Sequence, residues 1–133
     1  MIESPFLKTL EKFNHMKQAI NDALIYDDFE TIDKEIASLR EYTLCHYCIA
    51  YRQSLSQHFA GCCDTCPLHK KGEEEIGRKR SYNGCYVIGC YKDLVKTAFW
   101  YKEDRSRETA EAVINCLNNC LQYMQENRHK LEL

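Results

Sequence analysis

Five cysteines in two tight groups are the residues of this chain best suited to chemistry. They are Cys45-His46-Tyr47-Cys48 and Cys62-Cys63-Asp64-Thr65-Cys66. Read from Cys45 to Cys66, the pattern is C-x2-C, fourteen intervening residues, then C-x2-C. Two residues between paired cysteines let the backbone curl around an ion and present two sulfurs from one side. Two such turns complete the four-thiolate tetrahedron that structural zinc prefers. The expected ligands are Cys45, Cys48, Cys63 and Cys66. Cys62 adjoins Cys63 and is a substitute for it, and Cys85, following Asn83-Gly84, is a substitute for any of the four. His46, His58 and His69 are weaker contenders. An iron–sulfur cluster is the alternative cofactor, because it too is held by four thiolates.

The other cysteines read differently. Cys90, Cys116 and Cys120 fall in helical stripes, where a cysteine serves as a small buried hydrophobe. Catalytic patterns are missing. Cys45-His46 and Cys66-Pro67-Leu68-His69 hold the pieces of a thiol–imidazole pair, but adjacency in sequence is not triad geometry. There is no H-E-x-x-H, no glycine-rich phosphate loop and no H-x-E, and the residue before Cys63 is Cys62 where a zinc deaminase has proline. The chain therefore reads as non-enzymatic. Arg78-Lys79-Arg80 with nearby Tyr82 is the candidate nucleic-acid contact, bases for phosphate and a ring for stacking. The competing reading is an exposed loop in which Glu73, Glu74 and Glu75 neutralise the basic run. Tyr82, Tyr86, Tyr91, Trp100 and Tyr101 crowd one region, suited either to an interface or to capping a small core.

The elements that must position these groups are helical. The chain has 133 residues, 44% of them hydrophobic and 29% charged, with a net charge of −2. That length fits one domain with a real core, 1–133, and the near-neutral charge supplies no global field toward nucleic acid or membrane. No segment alternates with period two, so the expected fold is mainly α, with about four principal helices. Ser4-Pro5 starts a helix over about 5–26, roughly 33 Å long. Its stripe is Phe6, Leu10, Phe13, Ile20 and Leu24, interrupted only by Lys17. Asp27-Asp28 opens a second helix carrying Phe29, Ile32, Ile36 and Leu39, so 5–44 forms a helical hairpin that delivers Cys45 and Cys48. Residues 45–86 form the cysteine-rich metal-binding segment, with 69–80 expected as an exposed charged loop. Residues 87–130 form a helical pair. One face is expected to carry Val87, Tyr91, Leu94, Val95, Ala98 and Phe99, and the other helix Ala110, Val113, Leu117, Cys120, Leu121 and Met124. Lys102 to Arg105 make a polar break between them. The stripes of the first hairpin also permit homodimerisation.

Met1-Ile2-Glu3-Ser4-Pro5 lacks a basic targeting segment, and no apolar run approaches a membrane span. A cytosolic location is expected, where clustered thiols point to metal over disulfides.

Cys45-x2-Cys48, Cys63-x2-Cys66-Pro67-Leu68, Asn83-Gly84-Cys85, the helix with Trp100 and the Ala110–Met124 helix together resemble a type of small cysteine-motif protein encoded by bacteriophages and prophages. The resemblance spans roughly residues 40–125 and has C-x-x-C-P-L as its most specific piece. It implies a viral, metal-bearing accessory protein of the host cytoplasm. Cys62, Cys90, Cys116 and Cys120 are additions to that pattern, and the N-terminal hairpin lies outside it. The expected function is binding to a host or viral protein through a zinc-stabilised helical domain. The alternatives are a small nucleic-acid-binding zinc protein and an iron–sulfur or thiol-redox protein.

Overall fold

The computed structural model of the chain describes residues 4–40, 66–79 and 84–132. Every regular element among them is helical. Helix α1 spans Pro5–Ile25, with Ser4 in extended conformation before it and Pro5 in the first turn. Proline is tolerated there because its missing N–H would have no intrahelical partner. The stripe of α1 is continuous: Met16, not Lys17, occupies the buried place between Phe13 and Ile20. Helix α2, Phe29–Ala37, follows a tight turn in which Asp27 adopts a left-handed φ of 52°. Asp28 caps α2, accepting from the Thr31 N–H at 3.3 Å and from its hydroxyl at 2.6 Å. Ile32 and Ile36 of α2 are fully buried, and a single 3-10 turn, Ser38–Arg40, continues it.

Helix α3, Pro67–Ile76, occupies most of the stretch expected as a charged loop. Pro67 starts it, and Gly77, with φ of 68°, ends it in the left-handed conformation that glycine adopts at least cost. Polar side chains meet along the helix, each four residues apart: Lys71 pairs with Glu75 at 3.8 Å, and the His69 imidazole faces Glu73 at 3.4 Å. Leu68, His69 and Gly72 are buried, so α3 packs an inner face after all.

A 3-10 turn, Gly84–Val87, leads into helix α4, Gly89–Glu103. Helix α5, Arg107–Glu126, returns antiparallel along α4, and the short helix α6, Arg128–Leu131, closes the chain. Ser106 and Thr109 form a reciprocal capping box at the start of α5, each side-chain oxygen accepting the other's N–H at 3.2 Å. The inner face of α4 is Tyr91, Leu94, Ala98 and Tyr101, whereas Phe99 is 46% exposed. The spacing of three, four and three brings Tyr101 to the place expected for Phe99 and turns Phe99 outward.

Helices α1, α2, α4 and α5 share one core, to which Cys66 and Leu68 from α3, Ile88, and Leu131 of α6 also contribute. The four principal helices of the sequence reading are present, with α3 and α6 added. Polar bonds join the two hairpins. Arg40 donates to the Ala98 carbonyl at 3.2 Å, Arg107 to the Leu24 carbonyl at 2.6 Å, and the Tyr101 hydroxyl to Asp33 at 2.6 Å. Arg105 adds a forked bond to both oxygens of Asp33, at 2.9 and 3.1 Å.

These bonds hold the Asp33 carboxyl below the usual carboxylate range, chiefly through Arg105 and also through Tyr101, against an opposing effect of partial burial. Burial, followed by donation to Asp33, pushes the Tyr101 phenol up. A carboxyl with a lowered folded pKa contributes stability above its unfolded value near 4 and loses it as pH falls through the folded value. Asp33 is 44% exposed, so solvent screening keeps the effect to about 1 kcal/mol or less. Denaturant titrations between about pH 5 and 2 should show a steeper loss of stability in the wild type than in Asp33→Ala. Tyr101→Phe should cost about 1 kcal/mol at neutral pH. Parallel pH profiles would show that the bond is energetically silent.

Candidate metal centre

Of the six expected zinc ligands, Cys66 and Cys85 are described; Cys45, Cys48, Cys62 and Cys63 lie outside the described residues. Cys66 takes the cap position of α3 with extended backbone, φ −72° and ψ 121°, and its carbonyl accepts the first helical bond from Lys70 at 3.0 Å. Cys66 is buried against the common core, and Leu68, two residues on, is 1% exposed. The start of α3 is thus fixed by apolar packing.

Cys85 sits half-buried in the Gly84–Val87 turn, and its carbonyl accepts the Ile88 N–H at 3.2 Å. That turn packs directly on α3, which draws the Cys66 and Cys85 segments into one region of the fold. His69, 2% exposed, lies one turn beyond Cys66 on α3. Two thiols and an imidazole are borderline-soft donors of the kind zinc takes. Among the described residues, no group of three or more His, Cys, Asp or Glu side chains is arranged to hold a metal ion.

The candidate nucleic-acid residues divide similarly. Arg78 and Lys79 are exposed just beyond the Gly77 cap, while Arg80 and Tyr82 lie outside the described residues. The acids expected to neutralise the basic run have other partners. Glu73 faces His69, Glu75 pairs with Lys71, and Glu74 bonds Lys130 of α6. The Lys130 bond holds the Glu74 carboxyl below its ordinary range.

The aromatic group separates by helix face. Tyr91 is buried and meets the Phe13 ring at 6.0 Å, Tyr101 is buried on Asp33, and Trp100 is 43% exposed. Cys90, Cys116 and Cys120 are expected from sequence as small buried hydrophobes in helical stripes. Cys120 is indeed fully buried and the other two half-buried, but all three lie along the α4–α5 interface. The signal was the antiparallel hairpin register, which requires both helices and the position of their turn.

Compared with family models, curated proteins and solved structures, the chain has no significant match. Among the described residues no helix is long and apolar enough to cross a membrane.

Because α3 is an anchored helix, the N–H groups of residues 71–76 should resist hydrogen exchange, where an open charged loop would exchange at the free-chain rate. Leu68→Ala should cost about 3 kcal/mol in denaturant unfolding. Lys79→Ala should stay within about 0.5 kcal/mol of wild type. Equal effects from the two substitutions would mean that α3 is not docked.

Proposed function

We propose that this chain is a non-enzymatic binding protein, a zinc-stabilised helical domain of the phage accessory kind that acts on a host or viral protein in the cytoplasm. The observation that carries the zinc part is the packing of the Cys85 turn against the helix that Cys66 caps. A segment anchored this way gives the remaining cysteines, Cys45, Cys48, Cys62 and Cys63, a fixed point around which to close. Zinc bound by four thiolates supplies folding free energy of about 10 kcal/mol or more in small modules, enough to order a segment poor in apolar residues. The binding part is supported by Phe99 and Trp100, large rings held outward on a helix whose other face is locked into the core. Large amphipathic rings on a rigid element make strong interface anchors.

Elemental analysis of the purified chain should return one zinc per chain. Cys66→Ser should lower zinc affinity by at least about tenfold, whereas Cys116→Ser should retain the metal. Acidification should release it, since thiolates must protonate. Iron with visible absorbance would replace zinc by a cluster, and a metal-free, fully folded protein would remove the reading. For partner binding, affinity capture from bacterial lysate should return one stoichiometric protein that is lost with Phe99→Ala/Trp100→Ala, a hot-spot loss of about 2 kcal/mol or more. Capture that survives the double substitution counts against this face.

A second reading, nucleic-acid binding through Arg78, Lys79, Arg80 and Tyr82, is favoured by one observation: Arg78 and Lys79 are exposed, while the neighbouring glutamates are engaged by His69, Lys71 and Lys130. It requires salt-sensitive binding whose slope falls by about one for each phosphate contact removed. The triple alanine variant of Arg78, Lys79 and Arg80 should lower that slope by about three, and an unchanged slope eliminates this reading.

A further inference from the structure

The hairpin of α4 and α5 sets its own register. Glu103 and Arg107 flank the turn; thirteen residues back along α4 lies Cys90, and thirteen residues on along α5 lies Cys120. In an antiparallel pair these positions face each other across the α4–α5 interface, and each of the two thiols is the group that most perturbs the other. Cys90 is half-buried in the first turn of α4, reachable from solvent, whereas Cys120 is fully buried behind it. Cys116 lies one turn away on α5, half-buried.

We propose that Cys90 and Cys120 form a redox-active dithiol that reacts with low-molecular-weight disulfides, Cys90 as the attacking thiol and Cys120 as the resolving one. The Cys90 thiolate attacks one sulfur of the small disulfide. A bond forms between Cys90 and that sulfur, the original S–S bond breaks, and one small thiol leaves. The Cys120 sulfur, losing its proton, then attacks the Cys90 sulfur and expels the second small thiol. Overall two protein thiols give up two protons and two electrons, and one small disulfide becomes two thiols.

The division of roles follows from position. The Cys90 thiol is held below its ordinary range, first by its bond from Cys120 and also by backbone N–H groups at the start of α4, with burial and nearby Glu75 opposing. Cys120 is pushed up, by donating to Cys90 and by burial. A thiol that ionises readily and touches solvent attacks first; a buried protonated neighbour resolves. The product would tie α4 to α5 at the end of the hairpin far from its turn. This dithiol is separate from the proposed zinc ligands, so its test stands whatever metal the chain holds.

The full chain, as purified, is titrated with oxidised glutathione, trapped with an alkylating agent and digested with trypsin. Cleavage after Arg80 and Lys92, and after Arg107 and Arg128, places Cys90 on the 81–92 peptide and Cys120 on the 108–128 peptide. The expected result is loss of two alkylatable thiols and a linked pair of these peptides, with fragmentation assigning the bond to Cys90 and Cys120. Cys120→Ser should stop at a mixed disulfide between glutathione and Cys90, and Cys90→Ser should leave Cys120 alkylatable. Oxidised wild type that keeps both thiols free overturns the proposal. So does a bond from Cys90 to Cys85 or Cys116, or modification of Cys120 in Cys90→Ser. Should Cys120→Ser lose its helical circular dichroism, the wild-type map and Cys90→Ser decide between the same outcomes.

Discussion

The apolar stripe of α5 is the constraint on which the rest of this structure depends. Ala110, Val113, Leu117, Cys120 and Met124 are all fully buried, and α5 is the element against which both α1 and α4 pack. A fully buried aliphatic side chain contributes about 1.5–3 kcal/mol relative to exposure, so a run of such residues outweighs any single polar contact in the molecule. The same stripe explains why a cysteine occupies position 120. The seam accepts a small apolar side chain there, and its sulfur faces α4 where another thiol is within reach.

Polar groups do a different job. The bonds from Arg40, Tyr101, Arg105 and Arg107 run between the two hairpins, those of Arg107 at the helical turns and that of Arg40 at the far end of α2. Arg105 and Arg107 are about half-exposed, so their ion pairs with Asp33 and Asp27 add little net stability. What they supply is orientation. Arg107 bonds the last-turn carbonyl of Leu24 as well as the carboxylate of Asp27, which sits in a left-handed turn. The sequence reading made Lys102 to Arg105 a mere break between helices. In the folded chain its arginine is half of the fastening between the hairpins, a fact that depends on where Asp33 ends up.

Helices with long, regular stripes were legible from sequence, and α1, α2, α4 and α5 stand close to their expected places. Helix α3 was not, because its composition argues locally against helix: it holds three lysine or histidine side chains, three glutamates and a glycine within ten residues. The signals that win are punctuation and pairing. Pro67 sits at the start, Gly77 sits just past the end, and opposite charges recur at four-residue spacing. Leu68 then docks the helix, and one buried leucine beside a cysteine turn is too weak a pattern to read as a stripe. Phe99 shows the same limit on a finer scale. Phe99 and Tyr101 compete for the inward position of the last turn of α4, and a hydroxyl partner on another hairpin decides it.

The sulfur atoms of the chain thus belong to two physically distinct settings. Cys66 and Cys85 sit where helical order begins, one at a helix cap and one in a 3-10 turn. Cys90, Cys116 and Cys120 sit along a helix interface whose geometry is already fixed by apolar packing. A metal ion in the first setting would tie the start of α3 to the turn that packs on it. A bond in the second would only add to structure that exists, because the facing positions are set by the hairpin register before any sulfur reacts. Chemistry that builds a fold belongs where the core is thin, and chemistry that can be made and unmade belongs where the fold survives without it.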